Sequence, residues 1–233
     1  MTTLNFLDVL AFVWFLTAWL GYSYVIERTA SGRTGLNALM NRHRDEWMMH
    51  MLGRENRIVD AQVSAALQNG TAFFASTSLI AIGGTLSLLR APDALMPVMS
   101  VLPGASAPSR EMWEMKMLGL AIIFVYAFFK FAWSYRLYNY FAILLGAAPP
   151  AADKDTALAK AFAHRAANIC ADAGQHFNRG QRAFFFALGY LGWFWSPTVF
   201  ILSTFAVLVV MALRQFRSDG MRAALSASDA GAT

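Results

Sequence analysis

Charged residues are scarce in this sequence: lysine, arginine, aspartate and glutamate together make up 14% of its 233 residues. Soluble domains average about 25% charged residues and about 45–50% apolar residues, whereas the apolar share here is 57%. So few charges can hardly cover the surface of a water-soluble protein of this size. The composition therefore excludes an ordinary soluble domain and indicates an integral membrane protein.

Cysteine is almost absent, since Cys170 is the single one in the chain. One thiol excludes an internal disulfide, a cysteine-based metal cluster and a haem-attachment motif. The sequence also lacks a Ser-His-Asp arrangement, a phosphate-binding glycine loop and paired carboxylates within its apolar stretches. We therefore expect a protein that is not an enzyme, with no cofactor and no nucleic-acid partner.

What the sequence does contain is four apolar stretches long enough to cross a bilayer, because about 20 residues at 1.5 Å each match a hydrocarbon core of about 30 Å. The stretch nearest the N-terminus carries one charge, Asp8, and has neither basic residues before it nor a small-residue cleavage site after it, so it is a retained span. The sequence predicts an all-α, polytopic membrane protein. The predicted spans are 6–26, 71–89, 115–136 and 190–213 in a single membrane domain over 1–222, with a disordered tail at 223–233.

The two long connections, at about residues 35–68 and 137–182, have the periodicity of helices and are predicted to be cytoplasmic helical segments. Asn69-Gly70 predicts that the earlier segment ends before the second span begins. Ser196-Pro197 resembles a helix N-cap followed by proline, which predicts a kink or restart there. Residues 183–195 could therefore span the membrane or lie in its interface.

Lysine and arginine are concentrated in these connections. Six of them lie between the first and second spans, from Arg28 to Arg57, and six lie from Arg136 to Arg182, whereas only three lie from Arg90 to Lys116. The excess of positive charge on cytoplasmic loops places both long connections inside and the N-terminus outside, in the cell (inner) membrane. Four spans would leave Arg214, Arg217 and Arg222 outside, which breaks the same rule.

Lys130 and Arg136 interrupt an aromatic run, FFKFAWSYRLYNYF, in the third span. Long basic side chains and aromatic rings gather at membrane interfaces, which favours Lys130 reaching out to the headgroups. Ionisable groups inside a membrane also mark substrate paths, so Lys130 and Arg136 are candidates to line an anion path. Both interpretations remain open.

The second span is rich in small and hydroxyl residues. Thr77, Ala81 and Gly84 have the spacing of a tight contact between helices. Alternatively, a pore lined by Ser76, Thr77, Gly83 and Gly84 would expose hydroxyls and backbone to water or ions. Four spans enclose little space, so a pore would have to be formed by several copies of the chain. The pore interpretation therefore predicts a homo-oligomer.

The first long connection carries a basic face formed by His50, Arg54 and Arg57. This face could dock a partner protein, and basic residues near the headgroups attract anionic lipids by about 1 kcal/mol each. His43, Glu46 and His50 have helical spacing that could hold a metal, but a solvated salt-bridge face explains them equally well.

The stretches GRENRIVDAQ...NGTAFFASTSLIAIGG (53–84) and FVYAFFKFAWSYRLYNY (124–140) resemble the DUF599 family of uncharacterised membrane proteins. The resemblance implies a multi-span membrane protein and no assigned activity. The residues themselves favour an oligomeric channel or transporter for a small solute or ion, with an anion as one candidate. The alternatives are a membrane scaffold that docks a partner through its basic helices, and a metal-dependent membrane enzyme.

Overall fold

The computed structural model describes residues 5–29, 35–92 and 109–216, and this part of the chain is helical without strands. The predicted all-α fold is confirmed. The tail at 223–233 lies outside the described residues. The six long helices are α1 (Phe6–Arg28), α2 (Leu36–Leu52), α3 (Ile58–Leu89), α4 (Arg110–Gly146), α5 (Ala157–Trp195) and α6 (Pro197–Phe216), with a 3₁₀ turn at Ala151–Asp153.

Hydroxyl side chains begin the two longest helices. The Ser109 hydroxyl accepts a hydrogen bond from the Met112 backbone N–H at 3.3 Å at the start of α4. Thr156 caps α5 in the same way, because its hydroxyl accepts from the Ala159 N–H at 3.2 Å. Such caps satisfy backbone donors that have no partner inside the helix.

The predicted helix end at Asn69-Gly70 is wrong, because α3 runs unbroken for 32 residues through both. An internal glycine costs about 1 kcal/mol relative to alanine. Packing on both sides outweighs this cost: Gln68 donates to the Tyr138 carbonyl at 3.1 Å, and Thr71 is buried. The predicted boundary between loop helix and span therefore falls within one helix.

The stretch predicted as one span at 190–213 is divided at Ser196, where α5 ends and α6 begins. The predicted restart at Ser196-Pro197 is confirmed. Proline lacks the N–H that α5 would need to continue, so the chain turns there. Residues 183–195 belong to α5, a helix of 39 residues, and not to a separate interfacial helix.

Helix α5 runs antiparallel to α4 along almost its whole length. Nearer the middle of the pair, the Ser134 hydroxyl donates to the Ala173 carbonyl at 2.7 Å. Near one end, the Lys116 amine donates to the Trp193 carbonyl at 2.7 Å, and the Trp193 indole donates to Asp8 at 2.7 Å. The last turn of α5 therefore meets the first turns of α1 and α4; we call this the Asp8 end.

The opposite end of the bundle, where α1 and α6 finish, is called the Glu27 end. The Tyr22 hydroxyl of α1 donates to the Met211 carbonyl of α6 at 3.1 Å, so the two helices finish side by side. Helix α3 runs the other way, because the Trp113 indole donates to the Leu88 carbonyl at the Asp8 end at 3.3 Å. Five helices, α1 and α3 to α6, thus connect the two ends.

Aromatic side chains fill the centre of the bundle. Phe15, Tyr190, Trp193 and Phe200 are all buried, with ring centroids 5.1 to 5.4 Å apart in their contacts. Helices α1, α3, α4 and α6 are long and apolar enough to cross a membrane. Residues 183–195, the end of α5 that carries no charge, lie among α1, α4 and α6 and are mostly buried.

A second apolar cluster joins α2 to the first half of α5. Met48 and Met51 of α2 are fully buried, as are Phe141 and Cys170. The alanines of α5 let the helices approach closely there. This cluster holds α2 beneath the bundle and positions its first turn beside the Glu27 end.

Candidate functional site

A charged cluster formed by Glu27, Arg179 and Arg182 lies at the Glu27 end and is called the Glu27 cluster. One carboxylate oxygen of Glu27 accepts from Arg179 Nε at 2.8 Å, and the other accepts from Arg179 Nη2 at 2.6 Å. Arg182 Nη2 donates to Glu27 as well. Two guanidinium groups share one carboxylate, so the cluster keeps an excess positive charge.

The helices position these three residues by simple periodicity. Glu27 lies in the last turn of α1, and Arg179 and Arg182 are three residues apart on one face of α5. The side chains are 19% exposed for Glu27, 25% for Arg179 and 7% for Arg182. A charge this deeply buried needs a partner, so Glu27 is what allows Arg182 to sit inside the bundle.

Lys130 lies next to the Glu27 cluster. Its amine is 5.1 Å from the centroid of the Tyr126 ring in the preceding turn of α4. It is half-buried and within electrostatic range of Glu27 and Arg179. Lys130 therefore adds a second positive charge that no carboxylate neutralises among the described residues of this end.

Arg136 is separate from this cluster. It is exposed, its Nε donates to the Tyr140 hydroxyl at 2.7 Å, and its guanidinium lies 5.7 Å from the Trp133 ring centroid. Rings and a cation on an exposed helix surface are typical of a membrane interface.

Two clefts flank Arg182. The larger, of about 210 Å³, is called the Arg182–Gln215 cleft, and the smaller is about 170 Å³ and includes Glu27. The larger is lined by Tyr22, Ile26, Leu36, Asn37, Asn178, Gln181, Arg182, Phe185, Met211, Arg214 and Gln215. It opens between α1, α2, α5 and α6 at the Glu27 end.

Two side chains that line the larger cleft contain buried polar nitrogens without partners in the described part of the chain. They are Nε of Arg182 and Nε2 of Gln215. Taken over the whole residue, Arg182 is 6% exposed and Gln215 is 9% exposed. Leaving a buried donor unsatisfied costs about 1–3 kcal/mol, more for a charged group.

The small residues predicted to line a path or a tight contact lie on α3, away from the Glu27 cluster. Ser76, Gly83 and Gly84 are exposed, and a Cβ added at either glycine would meet no other described atom within 4 Å. The Thr77 hydroxyl donates to the Phe73 carbonyl of its own helix at 2.8 Å. The predicted contact through Gly84 is therefore not made within the described chain.

A different set of hydroxyl residues is buried on α3. Ser64, Thr71, Ser78 and Thr85 follow one another at intervals of seven residues and are at most 5% exposed. This interval keeps them on one face, and α4 is the main packing partner of α3. This seven-residue spacing can be read from the sequence. It does not stand out there, because the second span contains many other small and hydroxyl residues.

The predicted basic face of His50, Arg54 and Arg57 is largely used inside the protein. Arg54 donates to the buried Asp60 at 2.5 Å, and the Trp47 indole donates to the same oxygen at 2.6 Å. Arg57 donates to the Ala148 carbonyl at 2.9 Å and to the Pro149 carbonyl. His50 alone is left exposed to solvent without such a contact among the described residues.

Two histidines contact carboxylates: His43, a residue of the predicted metal site, and His164 on α5. His43 lies 2.8 Å from Glu46, and His164 lies 2.6 Å from Asp45. Across the described ranges, no three or more His, Cys, Asp or Glu side chains are close enough together to hold a metal ion. Of the predicted site, His43 and Glu46 pair with each other, and the exposed His50 has no ion pair among the described residues.

In the sequence, Arg179 and Arg182 are two of the basic residues of the second long connection, and no motif marks Glu27 or Gln215. The three-residue spacing of the two arginines does predict that they lie on one face of a helix. Nothing in the sequence showed that Glu27 lies opposite them, since 152 positions separate Glu27 from Arg179.

Residues 10–220 match the family model described as a protein of unknown function, DUF599. The chain belongs to the DUF599 family. No curated relative and no solved structure matches it. The DUF599 description assigns no activity.

Proposed function

We propose that this DUF599 protein is a membrane transporter or channel for a small anion. The observation that supports this is the excess of positive charge at the Glu27 end, where Arg179 and Arg182 share one carboxylate and Lys130 lies within electrostatic range of it. Ionisable groups within a membrane domain are costly and usually mark substrate or ion pathways. An electropositive, partly buried site attracts anions.

We further propose five membrane crossings, with α5 as the additional one. From Gly174 to Trp195 α5 is about 33 Å long, which matches a hydrocarbon core of about 30 Å. An odd number of crossings places the N-terminus outside and the C-terminus inside. Arg214 then lies on the same side as both basic connections, so the positive-inside rule holds for the tail as well. The Glu27 end is cytoplasmic in this arrangement.

The path for the anion is proposed to run between copies of the chain, because aromatic rings fill the centre of a single bundle. The exposed face of α3 with Ser76, Gly83 and Gly84 is suited to close approach of a second copy or to contact with water. Residues of the Glu27 end would attract the anion from the cytoplasm. A homo-oligomer in the inner membrane is therefore part of the proposal.

The two alternatives have less support. A scaffold that docks a partner through Arg54 and Arg57 would have to compete with the contacts these residues make to Asp60, Ala148 and Pro149. A metal-dependent enzyme would need His43 and His164 to leave their carboxylate partners. Attraction of anionic lipids to the basic surface is compatible with all three functions.

Anion flux through reconstituted liposomes tests the proposal. Lys130→Met keeps the apolar stem and removes the charge, so flux should fall or lose anion selectivity while the protein still assembles. Lys160→Met is the matched control, because Lys160 is exposed on the first part of α5. If the unmutated protein shows no flux of chloride, nitrate or benzoate above empty liposomes, the transport proposal is wrong.

A further inference from the structure

We propose that the Arg182–Gln215 cleft is a binding site for an oxyanion group, a carboxylate or a phosphate. Arg182 and Gln215 both line the cleft, and both keep a buried polar nitrogen without a partner among the described residues. In the proposed site, a negatively charged oxygen would accept hydrogen bonds from these donors. Such charge-assisted hydrogen bonds are about twice as strong as those between neutral groups.

The charge of the cleft favours an anion. The described residues that line it include two arginines, Arg182 and Arg214, and no aspartate or glutamate. Glu27 neutralises part of the Arg182 charge from the far side. Arg214 is exposed and lies 5.3 Å from the Phe185 ring centroid, which leaves its guanidinium at the edge of the site. An incoming anion meets Arg214 on its way to Arg182.

The size and the walls of the cleft define the class of ligand. Its volume of about 210 Å³ corresponds to about seven water molecules at liquid density. Ile26, Leu36, Phe185 and Met211 form apolar walls beside the polar donors. This combination suits a small organic acid with a short apolar body. An anionic lipid headgroup offers the same oxyanion chemistry, and the experiment below separates the two sources.

The position of the cleft links it to the proposed transport. At the Glu27 end it would hold an anion beside the Glu27 cluster, and in that role the inference rests on the proposed function. Binding itself does not require transport. Binding to the purified protein and flux through liposomes can therefore fail independently of each other.

The experiment measures binding to the full-length chain in neutral detergent by calorimetry, with benzoate and inorganic phosphate as the soluble probes. A second set of measurements compares thermal midpoints in phosphatidylcholine nanodiscs with and without phosphatidylglycerol. Gln215→Leu removes the amide donor while leaving the Glu27 cluster intact, and Arg214→Gln removes the outer charge. Gln62→Leu and Arg42→Gln are the controls, because both residues are exposed on helices outside the cleft.

We expect Gln215→Leu to weaken anion binding about tenfold, because it removes a hydrogen bond to a charged group. Arg214→Gln should weaken it as well, and both controls should bind like the unmutated chain. Loss of benzoate or phosphate binding identifies a soluble ligand. Loss of phosphatidylglycerol-dependent stabilisation alone identifies a lipid headgroup, and both results support an oxyanion site.

Two results would overturn the inference. One is the absence of binding in both sets of measurements, and the other is equal affinity of Gln215→Leu and the unmutated chain. Size-exclusion profiles show whether each variant is folded. Arg182→Lys is the second variant, since it keeps a positive charge for Glu27 but lacks Nε–H. If flux is absent while binding depends on Gln215, the transport proposal fails and the site remains.

Discussion

The amine of Lys116 donates a hydrogen bond to the backbone carbonyl of Trp193 at 2.7 Å and lies 5.2 Å from the centroid of the Trp193 ring. Lys116 is near the start of α4, and Trp193 is near the end of α5. The contact shows that α5 finishes at the end of the bundle where α4 begins. The proposed fifth crossing and the proposed cytoplasmic C-terminus rest on this contact.

A C-terminal reporter tests the five-crossing topology. We expect a green fluorescent protein fused after Thr233 to fluoresce in a bacterial inner membrane, because this reporter folds on the cytoplasmic side. Alkaline phosphatase fused at the same position should be inactive. The opposite pair of results would return the count to four crossings, with the C-terminus outside. A fusion after Leu89, at the Asp8 end, is the control and should behave in the opposite way.

The sequence predicted the helical class, the number of long apolar helices and the break at Ser196, because these depend on local composition and on proline. It did not predict that residues 183–195 would be a central helix. This stretch is short of a bilayer's thickness, and the residues before it are polar. Its role depends on contacts with Asp8 and Lys116, which no local pattern contains.

The Glu27 cluster likewise combines a feature that local sequence predicts with one that depends on packing. Arg179 and Arg182 could be placed on one helix face from their spacing alone. Their pairing with Glu27 depends on how α1 packs against α5, which the sequence leaves open. The sequence also could not predict that one donor each of Arg182 and Gln215 has no partner among the described residues, because that depends on which atoms surround the donor in space.

Gly180 allows α5 to approach α4 closely. A Cβ at this position would lie 2.6 Å from the Phe131 ring, whereas a Cβ at Gly21 of α1 would meet no described atom within 4 Å. We expect Gly180→Ala to destabilise the protein by about 1–3 kcal/mol through overpacking, partly offset by the higher helix propensity of alanine. Gly21→Ala should be neutral or slightly stabilising. Thermal unfolding in detergent, followed by tryptophan fluorescence, measures both, and equal midpoints would show that Phe131 can move aside.

Arg57 is expected to stabilise the corner between α3 and the connection after α4. Arg57→Gln removes the hydrogen bonds to the Ala148 and Pro149 carbonyls, so unfolding should become easier by about 2 kcal/mol or more. Arg42→Gln, on the exposed face of α2, should change stability little. The same thermal assay applies. An unchanged midpoint for Arg57→Gln, together with loss of a binding partner in cells, would favour the docking alternative instead.

Cys170 lies in the apolar cluster between α2 and α5, and its thiol is fully buried. Burial raises the pKa of the Cys170 thiol from 9.0 to about 11, because the thiolate loses its hydration there. The thiolate is the reactive form, so we expect the folded protein in detergent to resist maleimide at pH 7.5 and the unfolded protein to react.

The raised pKa also sets the direction of a pH effect on stability. Between pH 9 and about 11 the thiol ionises in the unfolded chain while the folded chain keeps its proton. The unfolded state then binds fewer protons, so the contribution of Cys170 to stability falls as the pH rises through this window. Cys170→Ser, or Cys170→Ala where the hydroxyl proves too polar, should flatten this part of the stability profile. Rapid labelling of the native protein at pH 7.5 would show instead that α2 opens away from α5.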